Sequence, residues 1–176
     1  MTDITPLIKP VGLLISDFSI GFAKLDVASG EEDAAPAGSG ALVTVGSIQG
    51  ILTAAHVLEE LPDHGEVGLI RFTRNRVLQK QTIDMSLAEK LAIRGNGQEV
   101  DGPDIGFLRL ATHQAGALSA TNVFFNLSKR EESVLGNKHP SSQYFEGVSG
   151  IIAEWTAYDH AGEAGFQGLS VCSKSS

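Results

Sequence analysis

Three side chains stand where they could carry out proton-transfer chemistry. His56 closes the stretch Gly38–Leu58, Gly-Ser-Gly-Ala-Leu-Val-Thr-Val-Gly-Ser-Ile-Gln-Gly-Ile-Leu-Thr-Ala-Ala-His-Val-Leu, and the small Ala54 and Ala55 before it leave room around the ring. An imidazole titrates near neutrality, so it can take up and return a proton at physiological pH. Asp104 follows Pro103 and runs straight into the apolar segment Ile105–Leu110, a setting that holds a carboxylate rigidly. Ser149 lies within Gly147-Val-Ser-Gly150. A serine hydroxyl is a weak nucleophile until a neighbouring base takes its proton, and the base in turn works best when a third group orients it.

The elements that must position these groups read as β-structure. Ala41–Val45 and Ile48–Thr53 are apolar and β-branched and are separated by Gly46-Ser47, which predicts a hairpin delivering His56 at the end of its second strand. Strands are also expected over 21–27, 67–73, 76–83, 105–110, 121–127, 151–158 and 166–171. Residues 57–61 suit a short helical turn, and 86–93 suit either helix or strand. The polar, turn-forming runs 28–38, 94–104 and 137–142 read as loops, 111–120 as a linker and 172–176 as a polar tail. Twenty glycines and an aromatic content of 6% fit the many tight turns of an all-β chain.

Composition narrows the partners. A net charge of −8 argues against nucleic acid and anionic membrane surfaces, which demand clustered Lys and Arg. The single cysteine, Cys172, excludes an internal disulfide framework. No segment reaches the ~20 apolar residues of a membrane span and no secretory leader is visible, so a cytoplasmic protein is expected. Neither His-x-x-x-His, a cysteine pair nor a phosphate-cradling glycine loop occurs, so no metal and no cofactor is expected. The histidines His64, His113, His139 and His160 have no comparable setting and read as ordinary core or surface residues.

Thr53-Ala-Ala-His56 and Asp104-Ile-Gly-Phe-Leu-Arg-Leu110 resemble the phrases that carry the catalytic histidine and aspartate in trypsin-like (chymotrypsin-fold) serine peptidases of bacterial type. Gly147-Val-Ser-Gly150 is similar to the first four positions of that family's Gly-x-Ser-Gly-Gly nucleophile pattern, with Ile151 where the pattern has a small residue. The resemblance implies an all-β fold of two six-stranded antiparallel β-barrels, the first over residues 1–112 and the second, compact or incomplete, over 113–176. It implies His56 as general base, Asp104 as its orienter, Ser149 as nucleophile, and the N–H groups of Gly147 and Ser149 as oxyanion donors.

Gly168-Leu-Ser170 offers Ser170 as an alternative nucleophile. The expected reaction is hydrolysis of a peptide or protein substrate through an acyl-enzyme. The 66 residues from Ala111 to Ser176 are few for six strands, so a C-terminally truncated chain of weak or no activity is expected, with self-association through unpaired strand edges. The alternative is a non-catalytic binding module on the same fold.

Overall fold

The computed structural model describes residues 10, 13–26, 33–72, 78–95, 102–129, 144–151, 157–158, 164–165 and 168–175. Most of them are β. Strands β1 (Ser19–Asp26), β2 (Asp33–Val45), β3 (Ile48–Thr53), β4 (Glu66–Phe72), β5 (Leu78–Asp84), β6 (Glu89–Arg94) and β7 (Asp104–Arg109) form one open sheet in the order β5-β4-β1-β2-β3-β7-β6. Every neighbouring pair on that path is antiparallel. Its two end strands are consecutive in the chain, with Asp84 of β5 and Glu89 of β6 joined by the 3-10 turn Met85–Leu87 and Ala88. The sheet therefore curls back towards itself at this corner, without ladder hydrogen bonds closing it among the described residues.

Strand side chains alternate between faces, and the main core cluster follows that period, although Ala23, Val43 and Ile70, next in sequence to core residues, are buried as well. Ile20 and Phe22 of β1, Leu42 of β2, Ile51 of β3, Val67 and Leu69 of β4, Ile83 of β5 and Leu108 of β7 all enter one core. Two short helices close over it. Helix α1 (Ala55–Glu60) contributes Val57 and Leu58, with Leu61 just beyond, and α2 (Thr112–Ser119) contributes Ala115 and Leu118.

The expected β2–β3 hairpin is present, with Val45 opposite Ile48 and Gly46 in the left-handed region at φ 60°. The strand is longer than its sequence suggests, because 33–38, expected as loop, pairs with β1. A register shift between Phe22 and Ala23 skips Ala37 and places Pro36 beside that irregularity, one of the few positions where a sheet tolerates a proline.

Residues 111–120, expected as a linker, form α2. Of the predicted strand 121–127, only β8 (Phe125–Asn126) is extended. It runs parallel to β2 at Val43 and Thr44, on the edge that β1 leaves uncovered beyond Ala41. Phe18 and Phe125 meet edge to face there, centroids 5.3 Å apart. Helix α2 packs Ala115 and Leu118 into the core under β1–β7, and β8 joins their sheet.

The remaining strands form two separate two-stranded pairs. Strand β9 (Tyr144–Ile151) is antiparallel to β12 (Gly168–Ser175), and β10 (Ala157–Tyr158) is antiparallel to β11 (Ala164–Gly165). The run 172–175, expected as a polar tail, is strand, held by its ladder to 144–147. The loop expected over 137–142 lies outside the described residues. Two barrels are not what this arrangement displays; it displays one open eight-stranded sheet and these two pairs.

Candidate active site

The chain leaves β3 at Thr53 and turns immediately into α1. The turn is fixed from below, where the Thr53 hydroxyl donates to the carbonyl of Ser39 at 2.6 Å. Ala55, Val57 and Leu58 are buried and anchor the helix on the core, while His56 faces outward.

Close seating of α1 depends on two glycines. Gly38, at φ 144°, lies where a Cβ would come within 2.7 Å of Val57. Gly106 of β7 lies where a Cβ would come within 2.8 Å of the Ala54 carbonyl and 2.9 Å of the Leu58 side chain. Any larger residue at 106 would push the start of α1 off the strand that carries Asp104.

A helix leaves its first N–H groups without partners inside the helix, and a capping side chain usually accepts one. The cap residue here is Ala54, which has no side chain able to do so. Asp104 supplies the acceptor from across the sheet. Its Oδ1 accepts the backbone N–H of His56 at 3.0 Å, and its Oδ2 takes the imidazole at Nδ1. One carboxylate therefore holds both the main chain and the ring of the same histidine, fixing position and orientation together. With Nδ1–H directed to Asp104, a neutral ring keeps its lone pair on Nε2.

Three cations from three positions on the sheet hold the end of α1 and the residues just beyond it. Lys24 of β1 pairs with Glu60 at 2.9 Å, and Arg94 of β6 pairs with Glu59 at 2.7 Å. Lys90 of β6 donates to the Leu61 carbonyl and to Asp63, both at 2.7 Å. The His56 and Asp104 side chains are 63% and 44% exposed, so water reaches the pair directly.

The Asp104 carboxyl lies below the usual range, first because His56 donates to its side chain, opposed by some desolvation and helped by the His56 N–H and the charges of His56 and Arg94. Glu60, Asp63 and Asp84 are lowered too, chiefly by hydrogen bonds from Lys24, Lys90 and Ser86 respectively. A depressed carboxyl stabilises the fold fully above its unfolded value, and this is lost as pH falls through the folded one. Stability should therefore decline below about pH 5. Urea midpoints measured from pH 6 to pH 3 should fall, and less steeply in Asp104→Asn, which lacks one of these groups.

The serines lie on the smaller pair of strands. Ser149 and Ser170 face each other directly across the β9–β12 ladder. Gly147-Val-Ser-Gly150 is thus part of the extended strand β9. The N–H groups of Gly147 and Ser149, two residues apart in a strand, point to the same edge of β9. The fold brings His56 and Asp104 together, while the side chains of Ser149 and Ser170 lie outside the described set. His64 and His113 are exposed, and His139 and His160 fall outside the described residues.

Sequence reasoning missed Gly106, Glu59 and Arg94, and it missed the main-chain half of the Asp104 contact. An alanine at the helix cap was the available signal that an acceptor had to come from elsewhere. Among the described residues no cluster of three or more His, Cys, Asp or Glu side chains is placed to hold a metal ion, and no helix is long and apolar enough to cross a membrane. The chain matches no family model, no curated protein and no solved structure.

Proposed function

We propose that the chain is a trypsin-like serine endopeptidase scaffold of weak activity. His56 is the general base, Asp104 its orienter, Ser149 the nucleophile, and the N–H groups of Gly147 and Ser149 the oxyanion donors. The observation that supports this reading best is the two-point contact of Asp104 with His56, ring and main chain at once. An imidazole held this way presents Nε2 to a hydroxyl. It can take the serine proton as the oxygen attacks a peptide carbonyl, then return it to the departing amine; water repeats the sequence on the acyl-enzyme. In this reading β1–β7 make the first barrel, and the second is built around β9–β12. The curl that brings the consecutive strands β5 and β6 to one corner supports the first of these.

A second reading, a non-catalytic binding module, is favoured by the placement of Ser149 inside a continuous strand opposite Ser170, and by the exposure of the His56–Asp104 pair. An active-site-directed fluorophosphonate separates the two. Slow, stoichiometric labelling that is abolished in Ser149→Ala is the expected result, since loss of a working nucleophile costs on the order of 10⁶ in turnover. Labelling that persists in Ser149→Ala and disappears in Ser170→Ala moves the nucleophile to Ser170. A folded protein that takes no label at either serine is the binding module.

A further inference from the structure

The Arg94–Glu59 ion pair lies beside the proposed base without being part of it. Arg94 is the ladder partner of Asp104 across β6 and β7. Its guanidinium reaches over to Glu59, three residues beyond His56 on α1, at 2.7 Å. His56 returns to β7 through the two oxygens of Asp104. The four residues therefore form a closed circuit, running from β6 through α1 to β7 and back across the ladder.

We infer that Arg94 is a positioning residue for the His56–Asp104 pair, pinning α1 to the sheet through Glu59 and keeping a fixed positive charge on the ladder position next to Asp104. Lys24 and Lys90 tie the same helix further along, at Glu60, Leu61 and Asp63, and neither is the ladder partner of Asp104. Of these three cations, only Arg94 both holds the helix and neighbours the carboxylate on the ladder. Among the described residues, Asp104 of β7 contacts His56 directly, Arg94 of β6 is the ladder partner of Asp104, and Glu59 and Glu60 lie on the helix that carries His56, paired to Arg94 and to Lys24 of β1 respectively. This inference rests on the functional reading above only for its significance; the coupling itself is read without any turnover.

The experiment is an NMR titration of the Asp104 carboxyl carbon, together with exchange of the His56 amide, in the parent, Arg94→Gln, Arg94→Lys and Glu59→Gln. Arg94→Gln removes a positive charge beside Asp104, so the Asp104 midpoint should rise. The rise should be about 0.2–0.7 pH unit, the range of an exposed ion pair. Arg94→Lys keeps the charge and should restore the midpoint. Glu59→Gln cuts the helix anchor and should raise the exchange rate of the His56 amide several-fold. A parent-like Asp104 midpoint in a folded Arg94→Gln, or a Glu59→Gln amide exchanging at the parent rate, would overturn the inference. If Arg94→Gln does not fold, a shifted Asp104 midpoint in Arg94→Lys overturns it equally. Failure of both Ser149 and Ser170 to label would disprove the proposed activity and leave this result untouched.

Discussion

If Ser149 is the proposed nucleophile, Asp104→Asn should slow its fluorophosphonate labelling by on the order of 10⁴-fold while thermal stability stays close to that of the parent, and Asp104→Ala should lose both. The difference follows from the two tasks of one carboxylate. Asparagine keeps an oxygen that can accept the His56 backbone N–H, so the helix start stays capped. Its amide nitrogen, however, presents hydrogens where Oδ2 accepted from Nδ1. The ring must then offer a lone pair at Nδ1 and carry its proton on Nε2, the wrong tautomer for taking a hydroxyl proton. Alanine also leaves the His56 N–H uncapped, so its melting temperature falls below that of Asp104→Asn. Equal melting temperatures for the two variants would show that the main-chain contact contributes nothing to holding α1. Rapid labelling in Asp104→Asn would remove Asp104 from the proposed mechanism.

Leu58→Ala is the largest expected loss of stability near the site, about 2–5 kcal/mol by comparison with other buried leucine truncations. Leu58 is 1% exposed and lies directly under Gly106, so the lost methyl groups leave a void between α1 and the strand bearing Asp104. Neighbouring Gly106 has no side chain to swing into the gap, and the core residues around Leu58 are held by the sheet. The urea midpoint should drop with the slope unchanged, because the surface exposed on unfolding is nearly the same. The His56 amide should exchange faster in the same variant. A loss below 1 kcal/mol would mean that α1 settles into the void, and that its height above β7 is not fixed by packing.

How much of this could be read from the residues depended on whether local pattern or a distant partner decided the structure. The β2–β3 hairpin was legible because Ala41–Val45 and Ile48–Thr53 are apolar and β-branched on either side of Gly46-Ser47, and α1 because Val57, Leu58 and Leu61 fall at helical spacing. Strand β2 was legible only in its second half. Asp33-Ala-Ala-Pro-Ala-Gly38 is composed like a loop and is extended because β1 pairs with it, with an irregularity that accommodates Pro36. Helix α2 escaped notice because it is eight residues long, carries Gly116 in its middle and has no capping side chain. It is helical through the burial of Ala115 and Leu118, which no local preference announces. At the site, the phrases around His56 and Asp104 suggested a pair. The ion pair from Arg94 and the main-chain contact depended on which strands become neighbours, which local sequence does not encode.

The order β3-β7-β6 also sets a sequence of events for the newborn chain. Gly50 pairs with Arg109, 59 residues later, and Val43 of β2 pairs with Phe125, 82 residues later. Hairpin closure takes microseconds, whereas contacts between residues so far apart wait on the entropy of closing long loops. During synthesis β2 and β3 can zip together as soon as they emerge, but the far edge of β3 stays bare until β7 has left the ribosome. The His56–Asp104 contact is made in that same late step, and until then the unpaired N–H and C=O groups along the edge of β3 are open to other nascent chains.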